Sequence, residues 1–210
     1  MGIRIAVLAS GAGTNLQALL DAWRSQQFRG ADMALVASDK PQAGALKRGT
    51  ALQIPTLALD PAKFPNAAAF DQEMLVHLAE HNVDVVCLAG YMRILTPAFV
   101  QTYANRILNI HPALLPAFGG RGMYGHHVHE AVLKSGARFS GCTVHFVDEG
   151  TDTGPIILQA VVPVLDQDTP EALAERVLIE EHRIYPRALA LYCEQRLQIA
   201  GKRVHILEKA

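Results

Sequence analysis

Apolar and polar positions along the chain follow two rhythms in turn. Residues 3–9 form a short apolar run, and residues 14–27 then place Leu16, Leu19, Leu20 and Trp23 at helical spacing. The pattern predicts a strand followed by an amphipathic helix. The succession repeats, with a strand at 33–38, a helix at 42–50, a short strand at 55–59 and a helix at 66–81. The continuous apolar run VDVVCLAG then reads as a strand, followed by a helix near 96–104 and a strand at 106–110. Apolar strands alternating with helices predict a Rossmann-like α/β fold, mostly parallel, with helices on both faces of the sheet.

The rhythm then changes. Residues 138–148 and 155–164 read as longer strands on either side of the polar loop DEGTDTG, which predicts antiparallel C-terminal strands. From 169 to about 197 one long C-terminal helix is expected. Thr169 is its N-cap, Pro170 its first helical residue, and Glu171 an acid in the first turn. Pro186 kinks or divides it. No repeat or linker interrupts the chain, so one domain over 1–210 is expected.

Composition narrows the classes of partner. The net charge of −1 gives no electrostatic case for a nucleic acid. Cys87, Cys142 and Cys193 lie in apolar contexts without CxxC spacing, and read as small buried hydrophobes in a reducing compartment. The first apolar run is too short for a membrane helix, contains Arg4, and lacks a signal-peptide layout. A cytoplasmic protein is expected, monomer or homodimer, acting on small molecules and with no membrane partner.

Ligands of open α/β sheets bind outside the carboxyl ends of the strands. Three unusual sequences fall there: SGAGTN, GYMRIL and NIHP. The first lacks the Gly at 16 that GxGxxG requires, and lacks the Gly-Lys-Ser/Thr of a Walker loop. Two readings stay open for it. One is a tight turn capped by Thr14 or Asn15; the other is a phosphomonoester site at a helix N-terminus using Gly13, Thr14 and Asn15. In NIHP, Asn109 and His111 share one strand face, and Pro112 ends the strand.

The loop DEGTDTG gathers Asp148, Glu149 and Asp152. It is either an acidic hairpin turn or a means of placing a carboxylate beside a histidine, fixing its tautomer and favouring its cation. His77 and His81 are four apart on a predicted helix without a third ligand, and read as an exposed face. His126, His127 and His129 crowd one stretch, yet adjacent helical residues point apart, so no metal is expected. His145, in mid-strand, reads as a packed or supporting histidine.

Taken together, NIHPALLP, GYMRIL and GCTVHFVDEGTDTGPIIL resemble the folate-dependent formyltransferases. With SGAGTN and EEHRIYP, the resemblance narrows to the branch that formylates glycinamide ribonucleotide, and it spans nearly the whole chain. It implies that the amine of that nucleotide attacks the formyl carbon of 10-formyltetrahydrofolate, the co-substrate, in de novo purine biosynthesis without a metal. Residues 1–110 would form the phosphate-binding half, and 111–210 the folate and catalytic half.

Asn109, His111 and Asp152 resemble the catalytic set. A tetrahedral intermediate needs donors where its negative charge develops, which the Asn109 amide and a protonated His111 would supply. His111 would also move protons. An imidazole with an ordinary pKa of ~6.5 is only partly protonated at neutral pH, and Asp152 is expected to raise that value. Gly13, Thr14 and Asn15 resemble the substrate-phosphate loop; Glu180 and Glu181 resemble the residues meeting the ribose or glycinamide end. Met92, Arg93, Ile94 and Leu95 resemble the folate-cleft segment, which Asn109 also faces. Asp148, Glu149, Gly150, Thr151 and Asp152 resemble the loop that closes over the pterin.

The chain departs from the family pattern twice. Ala67 stands where many members carry an arginine for the folate tail, with Lys63 the nearby cation. After HPALLP the chain is longer than the usual turn, and Gly119, Gly120, Gly122 and Gly125 predict a mobile flap over 117–129, with Arg121 or His126 as candidates to touch substrate. Two related enzymes are weighed. Methionyl-tRNA formyltransferase is expected to add a C-terminal domain and a basic surface. Formyltetrahydrofolate deformylase is expected to add an N-terminal regulatory domain, whereas this chain opens on the first catalytic-domain strand. A non-catalytic phosphoribosyl- or folate-binding module would have no need of an intact Asn109, His111 and Asp152 set.

Overall fold

The structure, a computed structural model, describes residues 2–209, which form two compact units divided between residues 108 and 109. The first unit runs β1 (Ile3–Leu8), α1 (Thr14–Arg24), β2 (Ala31–Ser38), α2 (Gly44–Ala51), β3 (Thr56–Ala58), α3 (Ala67–Glu80), β4 (Val85–Leu88) and α4 (Pro97–Thr102). Its strands lie in the order β3-β2-β1-β4, all paired in parallel. β5 (Ile107–His111) crosses the unit boundary, and its approach is set by Val86 N–H, which donates to the Arg106 carbonyl at 2.9 Å.

Continuous apolar runs give buried strands. Ile5 to Leu8 and Val85 to Cys87 are fully enclosed. α1 buries Leu16, Leu19 and Leu20, each contributing roughly 1.5–3 kcal/mol relative to exposure. It stops at Arg24 rather than 27, because Gln26 takes a left-handed conformation. α3 and α4 begin where Asn66 and Thr96 cap them, their side chains accepting from Ala69 N–H and Phe99 N–H. A short 3-10 turn, Pro61–Lys63, precedes α3 and has no counterpart in the sequence reading.

The second unit holds α5 (His126–Ser135), β6 (Phe139–Phe146), β7 (Ile156–Pro163), α6 (Pro170–Cys193), β8 (Leu197–Ala200) and β9 (Arg203–Ile206). Its strand order is β6-β7-β9-β8, with β6–β7 and β8–β9 antiparallel and β7–β9 parallel. α6 packs against β6 and β7. The Thr169 hydroxyl accepts from Ala172 N–H at 3.2 Å, as its N-cap position predicts. Pro186 lies inside one continuous helix and does not divide it.

Two expectations need correction here. The long helix ends at Cys193 rather than about 197, and residues 197–206, for which the sequence pattern predicts no element, form a hairpin. Gln195, in a left-handed conformation, makes that break. Within the expected flap, residues 126–129 are the first turn of α5, which buries Val128, His129 and Val132. No described helix is long and apolar enough to cross a membrane.

Candidate active site

β5 delivers Asn109 half-buried and His111 buried, two residues apart on one face. Asn109 Nδ2 lies 3.1 Å from His145 Nε2, and His145 Nδ1 lies 2.8 Å from the Phe146 carbonyl. A carbonyl only accepts, so Nδ1 carries the proton and Nε2 accepts from the amide. Burial lowers the His145 pKa and keeps the ring neutral.

His111 is fixed differently. Its Nε2–H donates to the Phe118 carbonyl at 2.8 Å, while Nδ1 faces Asp152 Oδ2 at 3.6 Å. The backbone carbonyl, rather than the carboxylate, therefore sets the tautomer. Asp152 stands between two imidazoles, its Oδ1 lying 3.7 Å from His145 Nε2, and its Oδ2 accepts from Gly120 N–H at 2.9 Å.

The turn after β5 is held by a buried network. Leu115 N–H donates to the Thr143 hydroxyl, which donates to the Ala113 carbonyl at 2.7 Å. Gln159 Nε2 reaches both Leu115 O and Thr143 Oγ1 at 3.0 Å. The Leu115–Pro116 peptide is cis. Phe118 (φ 54°) and Asp152 (φ 58°) are both left-handed. Aspartate tolerates that region, whereas it costs an ordinary side chain roughly 1–2 kcal/mol. Such strain is common where a backbone group is aimed for a purpose, and here the Phe118 carbonyl is aimed at His111.

Loop 148–152 is folded on itself. Asp148 Oδ1 accepts from Gly150 N–H at 3.1 Å and from the Thr153 hydroxyl at 2.6 Å. Burial works to raise the Asp148 pKa, but these bonds and the Lys202 ammonium outweigh it and hold the carboxyl below its ordinary value. Glu149 and Gly150 are exposed and Thr151 is half-buried. At the root of the loop, Phe146 N–H donates to the Pro155 carbonyl at 2.9 Å, and any side chain at Gly154 would collide with the Phe146 carbonyl oxygen. On α6, Glu181 is buried on the side that acts electrostatically on Cys142, and Glu180 is paired with Arg183.

In the first unit, Gly13 is the N-cap of α1 with φ 75°. Thr14 and Asn15 are the first two helical residues, one and two positions past the N-cap. A Cβ on Gly13 would lie 2.9 Å from Ala45 Cα, so the position excludes a side chain on two counts. Arg48 Nε donates to the Ala12 carbonyl at 2.8 Å, bringing a cation to the loop that local sequence reading misses. Met92 N–H donates to the Ser10 hydroxyl at 2.9 Å, tying segment 92–95 to the same loop. Met92 and Ile94 are exposed, Leu95 is buried, and the Arg93 guanidinium lies 4.3 Å from the centre of the Phe70 ring.

Four further histidines are engaged elsewhere. His77 faces Glu73 and Glu80, and His81 Nδ1 lies 2.8 Å from the His77 carbonyl. His126 lies 3.1 Å from Glu130 and 3.6 Å from Glu171, and His127 faces Glu130. Among the described residues, no three His, Cys, Asp or Glu side chains are arranged to hold a metal ion. None of the three cysteines is in a disulfide, and all are buried. Ala67 opens α3, and Lys63 sits in the 3-10 turn before it.

A parallel α/β half, and a strand that presents Asn and His beside an Asp loop, define the class. Residues 3–189 match the formyl transferase family, and the chain belongs to it. It is 47% identical over 189 residues to the trifunctional purine biosynthetic protein adenosine-3 of Drosophila melanogaster, covering 90% of this chain and 14% of that protein. It is 43% identical over 196 residues to the chloroplastic phosphoribosylglycinamide formyltransferase of Arabidopsis thaliana, covering 93% of this chain and 67% of that one. The chain thus spans only a small part of the fly relative. Among solved structures, glycinamide ribonucleotide transformylase 1 from Symbiobacterium toebii superposes with a TM-score of 0.93 at 49% identity, covering 99% of this chain and 95% of that one.

Proposed function

We propose that the chain transfers the formyl group of 10-formyltetrahydrofolate to the primary amine of glycinamide ribonucleotide, a step of de novo purine synthesis. The observation that carries this reading is the meeting of Asn109, His111 and Asp152 in a chain of the formyl transferase family. The cytoplasm is the proposed compartment, a choice favoured by three buried cysteines with no disulfide among them.

The amine attacks the formyl carbon and the carbonyl oxygen becomes an oxyanion. Asn109 Nδ2 carries two hydrogens; one goes to His145, and the second is available to that oxygen. His111 Nε2 is engaged by Phe118, so Nδ1 is the atom that exchanges a proton. When Nδ1 is protonated, the Asp152 carboxylate at 3.6 Å stabilises the cation. The amine must lose a proton and the folate nitrogen must gain one; a positioned imidazole serves both, typically worth about 10²–10⁴-fold.

The phosphate is assigned to Gly13, Thr14 and Asn15 at the start of α1, where backbone N–H groups and the helix dipole favour an anion. Glu180 and Glu181 are assigned to the ribose or glycinamide end. Met92 to Leu95 and loop 148–152 are assigned to the pterin, read through backbone groups.

The test is direct. Purified protein given both substrates is expected to yield formylglycinamide ribonucleotide and tetrahydrofolate without ATP. Release of formate at a rate independent of the nucleotide would identify a hydrolase and sink the reading.

A further inference from the structure

The loop carrying Asp152 is fastened from outside its own hairpin. Lys202, in the turn between β8 and β9, donates from Nζ to Asp148 Oδ2 at 2.8 Å and to the Thr153 carbonyl at 2.7 Å. Strand register explains the meeting. β9 joins β7 in parallel at Ile156 and Arg203, which brings the residue before Arg203 level with the loop that ends just before Ile156. Asp148 gathers both arms of the loop through Gly150 N–H and the Thr153 hydroxyl, and Lys202 closes the assembly. Asp152 lies one residue before Thr153, held left-handed, with its carboxylate between His111 and His145.

We propose that Lys202 is a positioning residue for formyl transfer: by tying Asp148 to the Thr153 carbonyl, it fixes where the Asp152 carboxylate stands. This rests on the activity proposed above. A surface ion pair as such does little, since exposed pairs are weak and screened by salt, and the Lys202 side chain is 71% exposed. The second contact, to a backbone carbonyl adjoining Asp152, is what distinguishes it. Small displacements of a reacting group cost far more in rate than in stability.

The experiment compares the parent protein with Lys202→Met, Lys202→Arg, Asp148→Asn and the double variant Lys202→Met/Asp148→Asn. For Lys202→Met, kcat is expected to fall about 3- to 10-fold, the scale of one ordinary hydrogen bond, as suits an exposed contact. The KM for glycinamide ribonucleotide and the thermal midpoint are expected to stay at parent values. Lys202→Arg should restore most of the rate, and the double variant should be no slower than the slower single variant, because both changes break one linkage. If Lys202→Met does not fold, Lys202→Gln takes its place. Parent-like turnover in the neutral variant overturns the inference, as does a loss that follows the thermal midpoint and is not rescued by arginine. Absence of formyl transfer in the parent protein overturns the underlying activity, and the inference with it.

Discussion

Asn109 donates to His145 across 3.1 Å, and the orientation of that amide therefore depends on a neighbouring imidazole staying neutral. Protonated His145 would present a donor to a donor. Burial lowers its pKa, so the unfolded chain takes up this proton at a higher pH than the folded one. The stabilisation is complete above the unfolded value of ~6.5 and is lost as pH falls through the lower folded value. Urea midpoints of the parent are expected to drop over that acid range, and those of His145→Gln to drop less. Identical slopes would contradict the assignment.

His111 has one ring nitrogen free of the backbone, and the proposed chemistry passes through it. His111→Ala is expected to lower kcat by about 10²–10⁴-fold with both KM values little changed. Steady-state rates decide this, and near-parent turnover would remove His111 from the mechanism.

Gly13 combines a left-handed backbone with contact to Ala45. Gly13→Ala is expected to cost ~1–3 kcal/mol of stability through strain and crowding. It should also raise the KM for glycinamide ribonucleotide at least tenfold while leaving the KM for folate unmoved. Equal effects on both substrates would argue against a phosphate role for the loop.

The legible parts were those written in local pattern. β4 is an unbroken apolar run, β1 is broken only by Arg4, and in β5 the Asn-x-His spacing is visible because a strand repeats every two residues. Thr169 and Pro170 announced the start of α6. Backbone groups leave no such mark. Neither the Phe118 carbonyl that holds His111 nor the Gly120 N–H that holds Asp152 has a side-chain signature. Lys202 lies 54 residues from Asp148, in a hairpin whose two strands of four residues each are too short to show a clear alternation. The first turn of α5 was hidden by the glycines before it, although Val128 and Val132 already stood at helical spacing.

Away from the site, Arg176 grips Asp168 with two nitrogens at 2.7 Å each, and also reaches the Pro163 carbonyl. The guanidinium holds the Asp168 carboxyl below its ordinary range. That contribution is present above the unfolded value of ~3.9 and is lost as pH falls through the folded one. Arg176→Met is expected to lower stability by ~1–3 kcal/mol at pH 7, with the gap to the parent narrowing below about pH 4. Urea titrations at several pH values test this, and a gap that does not change with pH would rule it out.

Gly154 admits no side chain against the Phe146 carbonyl, and the Phe146–Pro155 bond closes the hairpin just behind it. The two roots of the intervening segment are thus anchored independently of what lies between them. Residues 147–153 behave as a cassette mounted on a rigid socket. Exposed Glu149 can therefore be exchanged without disturbing the strands below.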